Sequence, residues 1–162
     1  MQLKFRIILN VEEDVLRDII IDSNITLIEF SKIISSEFGF DSTEISTFHH
    51  SNENWEQLDE IKLFKIDEQD QIMDNTPISN FFLSKGDKLI YIYDFLNYWT
   101  FFIELYDLDE SIEMDKKYEC LNSIGDVPKV PPSDIFNTNN DKLIDDDLID
   151  DDLIDYDDNL ID

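Results

Sequence analysis

Residues 88–105 read KLIYIYDFLNYWTFFIEL, and this stretch decides the fold. In Lys88 to Phe95 and again in Tyr98 to Leu105, aromatic and aliphatic side chains occupy both alternating sets of positions. A strand with one wet face alternates apolar and polar residues. One that is apolar on both faces belongs inside a sheet covered on each side. Leu96-Asn97 between the runs has about the length of a hairpin turn, with a continuous bulged strand as the alternative.

Outward from this pair, Gln2 to Asn10 alternates, with Leu3, Phe5, Ile7 and Leu9 on one face and Lys4 and Arg6 opposite. Val15 to Ile21 is a second β-branched run, so residues 2–21 are expected to form a hairpin. Thr26 and Glu29 have capping-box spacing, in which each side chain satisfies a backbone N–H of the first helical turn. Leu27, Phe30, Ile34 and Phe38, widened by Ile33, form one apolar stripe, and Gly39 is placed to end the helix. Further strands are expected at Ile45 to His50 and Glu60 to Lys65, divided by the polar Ser51-Asn52-Glu53-Asn54. Thr76-Pro77 offers an N-cap followed by proline at the first position of a short helix through Phe82. From Asp107 onward order is expected to decline, because Pro128, Pro131 and Pro132 punctuate a stretch with little periodicity. The expected fold class is α+β over residues 1–136: an N-terminal β-hairpin, one packed helix and a mixed sheet with central aromatic strands.

Residues 137–162 are expected to form a disordered acidic tail. After a polar linker it carries Leu143-Ile144, Leu148-Ile149 and Leu153-Ile154 at five-residue steps, with a further pair at 160. A five-residue step turns about 140° round a helix, so the pairs make no single stripe. The aspartates between them repel one another. Such repeats suit a solubilising extension. The other reading is a repeated interaction motif, each Leu-Ile pair anchoring in a groove while flanking Asp meets a basic rim.

The chain carries 39 acidic and 12 basic residues, for a net charge of −27. Residues 141–162 hold eleven Asp and one Lys, which leaves −17 on residues 1–140. An acidic body of that size repels phosphate backbones and anionic membranes, so neither direct nucleic-acid binding nor membrane binding is expected. A lone Cys120 permits no internal disulfide, and the N-terminus has no uninterrupted apolar core of a signal peptide. A cytoplasmic protein is the expectation.

Sets of residues that carry chemistry are sparse. Adjacent His49 and His50 on a strand point to opposite faces and do not readily share one metal ion. Cys120 lies beside Glu119 and Asp115, which disfavour its thiolate. No phosphate loop, nucleophile elbow, zinc-protease or calcium-loop pattern occurs, and no cofactor is expected. Asp94, between Tyr93 and Phe95, is the most pointed acid. It is expected either to cap the following turn or to pair with Arg17, with a ligand-contact role as the alternative. Asn97, Trp99 and Tyr93 accompany it.

The pieces VLRDIII, ITLIEFSKIISSEFGF and LIYIYDFLNYWTFFIEL together resemble the bacterial plasmid pRiA4b ORF-3-like family, passenger proteins of insertion elements. In that family an Arg-containing strand precedes a helix ending in Phe-Gly-Trp, and a Tyr-x-Tyr-Asp-Phe-Gly-Asp-x-Trp signature follows. Arg17, Phe38-Gly39-Phe40, Tyr91, Tyr93-Asp94-Phe95 and Trp99 match those positions, with Leu96-Asn97 replacing Gly-Asp. The His-rich and Cys/Pro-rich motifs of the family are reduced to Glu44–Phe48, Tyr118-Glu119-Cys120 and Gly125–Pro128. The resemblance implies no settled biochemistry. The function expected is a non-enzymatic interaction or adaptor domain that binds a basic protein or nucleoprotein through its acidic surface and tail. The alternatives are a hydrolytic or metal-dependent enzyme near Asp94 and an acidic nucleic-acid mimic.

Overall fold

In the computed structural model, which describes residues 1–132, the apolar alternation of the N-terminal stretch becomes strand β1 (Gln2–Leu9), whose Leu3, Phe5, Ile7 and Leu9 are all buried. It turns into β2 (Leu16–Asp22), paired antiparallel from Gln2↔Asp22 to Ile8↔Leu16. Helix α1 (Leu27–Glu37) follows. Glu29 N–H donates to the Thr26 hydroxyl at 3.2 Å while Thr26 N–H donates to the Glu29 carboxylate at 3.0 Å, the reciprocal box expected from their spacing. At the other end Gly39 takes φ 75°, Gly39 N–H donates to Ser36 and Phe40 N–H to Ser35 at 2.8 Å. This left-handed closure satisfies the last free carbonyls and turns Phe40 back toward the sheet.

Then come β3 (Ser46–Ser51), β4 (Gln57–Lys62), the short β5 (Gln71–Ile72), β6 (Lys88–Tyr93), β7 (Trp99–Asp109) and β8 (Tyr118–Ile124). The described residues form one eight-stranded sheet in the order β5-β4-β3-β6-β7-β1-β2-β8. Its neighbours are antiparallel except β4 and β5, which are parallel, so the sheet is mixed. The two aromatic strands sit at its centre, as their composition requires.

The core lies between α1 and one face of this sheet. Phe30 from the helix meets Phe5 at 5.1 Å, Phe48 at 6.1 Å and Phe82 at 6.3 Å between ring centroids. Each large apolar side chain fully buried here contributes about 1.5–3 kcal/mol, so the helix is held by packing more than by propensity.

Four expectations change. The strand expected at residues 60–65 runs from Gln57 and stops at Lys62, because Asp70 captures the backbone beyond it. The short helix after Pro77 is a single 3-10 turn, Ile78–Asn80. Pro77 stands before it in extended conformation, and the Thr76 hydroxyl binds Asp74. Order does not decline at Asp107. β7 continues to Asp109, and β8 pairs with β2, an edge strand whose polar sequence YECLNSI concealed it. Finally, the helix covers one sheet face only. On the other face Ile90 and Ile92 are buried and Trp55 lies over Phe102 at 5.0 Å, but the strands beyond β7 stay open. Among the described residues no helix is long and apolar enough to cross a membrane. The tail and its Leu-Ile pairs lie outside the described residues.

Candidate functional site

The β6–β7 turn brings together four of the five polar or aromatic candidates. Asp94 and Tyr98 both adopt left-handed backbone, φ 60° and 56°, in a five-residue turn closed by Tyr98 N–H donating to the Asp94 carbonyl at 2.6 Å. Such conformations are costly for residues with a Cβ and persist only where side-chain bonds support them. The Asp94 carboxylate supplies that support. One oxygen accepts from Leu96 N–H at 3.1 Å and Asn97 N–H at 3.4 Å, the other from the Asn97 amide at 2.6 Å. Asn97 therefore supports the turn by bonding to the very residue that is strained.

Beside the turn, Tyr93 and Trp99 are buried against Phe40, with ring centroids at 5.2 and 5.0 Å. Burial, with Asp41 and Glu44 nearby, pushes the Tyr93 phenol up to about 12. A phenol so placed stays protonated at neutral pH.

Arg17 does not pair with Asp94, which corrects the expected ion pair. Its guanidinium is buried under the C-terminus of α1. Nη1 donates to the carbonyls of Leu16 at 2.8 Å, Ile124 at 2.9 Å and Gly125 at 3.1 Å, and Nε to that of Glu37 at 3.3 Å. The helix C-terminus exposes carbonyls of negative partial charge, which compensate a guanidinium in place of a carboxylate. Arg17 is thus a structural tie between helix, β2 and the chain after β8.

The other sequence candidates also separate. His49 Nδ1 lies 3.2 Å from the Leu58 carbonyl and His50 Nε2 lies 2.8 Å from the Gln71 side-chain oxygen. Among the described residues no three His, Cys, Asp or Glu side chains are placed to hold a metal ion. The Cys120 thiol is pushed up by burial and then by Glu37, not by the sequence neighbours Glu119 and Asp115.

Sequence reasoning missed an apolar groove of about 370 Å³ at the same end of the sheet. Ile45, Leu63, Phe64, Ile66 and Phe95 line it, with Glu60 and Lys62 at its side. Phe64 and Ile66 are 69% and 79% exposed and lie beside Ile45 and Phe95, which are also exposed, as one apolar patch. They are held out by Asp70, whose carboxylate accepts from Ile66 N–H at 3.0 Å, Asp67 N–H at 2.8 Å and Lys62 Nζ at 3.0 Å. Those donors, Asp67 foremost, hold the Asp70 carboxyl down to about 2. The one sequence signal was the unpatterned run LFKI at 63–66, which breaks strand alternation directly before an acid-rich turn.

The fold is shared with a protein of unknown function from Methanosarcina mazei Go1. Its crystal structure superposes with a TM-score of 0.58 at 18% identity, over 75% of this chain and 68% of that one. No curated protein matches the sequence. The family model described as plasmid pRiA4b ORF-3-like protein matches residues 1–139, in agreement with the helix-ending Phe38-Gly39-Phe40 and the aromatic strands around Asp94, and the chain belongs to the plasmid pRiA4b ORF-3-like family.

Proposed function

We propose that this protein is a non-enzymatic interaction module that captures a basic protein or nucleoprotein partner. The observation that carries the reading is the groove between Ile45, Phe64, Ile66 and Phe95: a concave apolar wall left open to water on a strongly acidic body. An apolar groove on a strongly acidic body suits a peptide that presents an aliphatic or aromatic anchor between lysines or arginines. The apolar contact supplies affinity, and the carboxylates speed encounter and reject acidic competitors. The Asp94 turn serves this reading by fixing Phe95 at the groove wall. The Leu-Ile pairs of the tail, flanked by Asp, repeat the same chemistry and raise avidity for a partner with several basic sites.

Affinity capture from the source cell tests it with three baits: the full chain, Phe64→Glu, and a chain ending at residue 136. The expected result is a set of basic partners retained by the full chain, lost with Phe64→Glu, and weakened by removing the tail. Partners that survive Phe64→Glu undiminished sink the groove, and partners that are not basic sink the charge argument.

A further inference from the structure

The sheet face opposite α1 carries two parallel rows of side chains whose order has a consequence for self-association. The strand registers place Leu16, Ile8, Phe102 and Ile90 side by side across β2, β1, β7 and β6, and extend that row to Ile124 on β8. About 7 Å away, two residues along each strand, the same registers align Asp18, Arg6, Glu104 and Lys88. The first row is apolar and the second alternates in sign: minus, plus, minus, plus. Arg6 bonds Asp18 through Nε at 2.8 Å, and Lys88 lies 3.5 Å from Glu104. The charged row sums to zero on a domain that elsewhere carries −17.

We infer that this face is the contact surface for a second copy of the chain. A two-fold axis lying between the two sheets and parallel to the strands, passing between β1 and β7, reverses each row upon itself. An alternating row reversed in this way sets every acid against a base: Arg6 against Glu104 of the second copy, and Asp18 against its Lys88. The apolar row reversed sets Ile8 against the Trp55 ring that covers Phe102 of the second copy. A closed two-fold contact needs this kind of self-complementarity, which a row of one sign does not possess. Net charge selects the same surface. Two bodies of −27 repel through their acidic surfaces, and approach through a neutral face costs least. Trp55, stacked over Phe102 with Lys88 Nζ 5.3 Å from its ring centroid, stands proud of the face over β7 beside the axis. The rotation carries that ring over Ile8 of the other copy, where the face is low. Packed in this way, Ile8 and Ile124, 37% and 43% exposed in the single chain, leave water.

Sedimentation of the full chain across a concentration series tests the inference. The expected mass at high concentration is twice 19.2 kDa, dissociating on dilution. Ile8→Glu adds a carboxylate to the centre of the apolar row and is expected to raise the dissociation constant by roughly 100-fold, because it buries unpaired charge. Ile124→Glu, at an exposed edge position where folding tolerates it, serves as the second variant, and circular dichroism confirms that each remains folded. A mass of 19.2 kDa for the unaltered chain at every concentration overturns the inference. So does a dimer that both variants leave intact, since the contact then lies on another surface.

Discussion

The guanidinium carbon of Arg17 lies 4.9 Å from the centroid of the Phe38 ring, so one buried cation is stacked on the last turn of the helix and bonded to four carbonyls around it. Among the described residues no carboxylate takes part. Replacing Arg17 with Met keeps the apolar stem but strands the carbonyls of Glu37, Ile124 and Gly125 in a partly closed site. We expect a loss of about 2–4 kcal/mol, measured by urea unfolding, since buried acceptors left without donors carry their full desolvation cost. Arg17→Lys should recover only part of it, because a single ammonium does not span carbonyls on three segments.

Gly125 accepts from Arg17 and lies against the β1–β2 turn so closely that an added Cβ would stand 2.0 Å from the Asp14 carbonyl oxygen. Its φ of 75° is a second reason for glycine. Gly86, at φ 94° with open space around its missing Cβ, is the matched control. Gly86→Ala should cost about 1 kcal/mol from backbone strain alone, and Gly125→Ala distinctly more, because backbone has to move. Thermal melting of the two variants makes the comparison. Equal shifts would refute the close approach.

At Asp94, turn support and catalysis predict different outcomes. Asp94→Asn keeps an acceptor for the Leu96 and Asn97 amides and tolerates left-handed backbone, so stability should change by less than about 1 kcal/mol. Asp94→Ala loses all three bonds and keeps the strained φ, and should cost roughly 2 kcal/mol. A large effect of Asp94→Asn, measured by chemical denaturation, would show that charge at this position matters more than the turn.

These residues also show which features of the sequence pointed to structure. The helix was readable because its signals are local: Thr26 and Glu29 three residues apart, Gly39 at the end, and a stripe of period 3.6. The aromatic strands were readable because no short loop could hide so many apolar side chains. The partner of Arg17 was not readable, since Ile124 and Gly125 lie more than a hundred residues away and offer only backbone carbonyls, which every residue has. β8 was concealed for a related reason: an edge strand packs one side chain in two and keeps polar residues. The groove depends on Asp70 drawing Ile66 and Asp67 into a turn, a choice that local hydrophobicity argues against.

That turn has a pH dependence. The Asp70 carboxyl ordinarily titrates near 3.8 and is held to about 2 by the Asp67 amide, Lys62 and the Ile66 amide. A depressed folded value means that its contribution is complete above pH 3.8 and is lost as pH falls from there toward 2. The amide resonances of Ile66 and Asp67, followed by NMR, should shift together through this acid window while those of β6 stay fixed. Asp70→Asn should abolish the transition. Were the Ile66 amide to titrate near 3.8, or not at all, the carboxylate would not be what presents Phe64 and Ile66 to solvent.

The largest single effect is expected at Phe30, fully buried where helix and sheet meet and within ring contact of Phe5, Phe48 and Phe82. Phe30→Ala removes the apolar area and leaves a cavity among three rings, each anchored on a different segment, so collapse around it is restricted. The expected cost is about 3–5 kcal/mol, a large part of the roughly 5–15 kcal/mol that holds a domain of this size. Phe30→Leu, which refills most of the volume, should cost less than half as much. Urea unfolding of the two variants, compared at equal m-value, checks this. If alanine and leucine proved equally costly, the ring contacts and not the filled volume would hold α1 on the sheet.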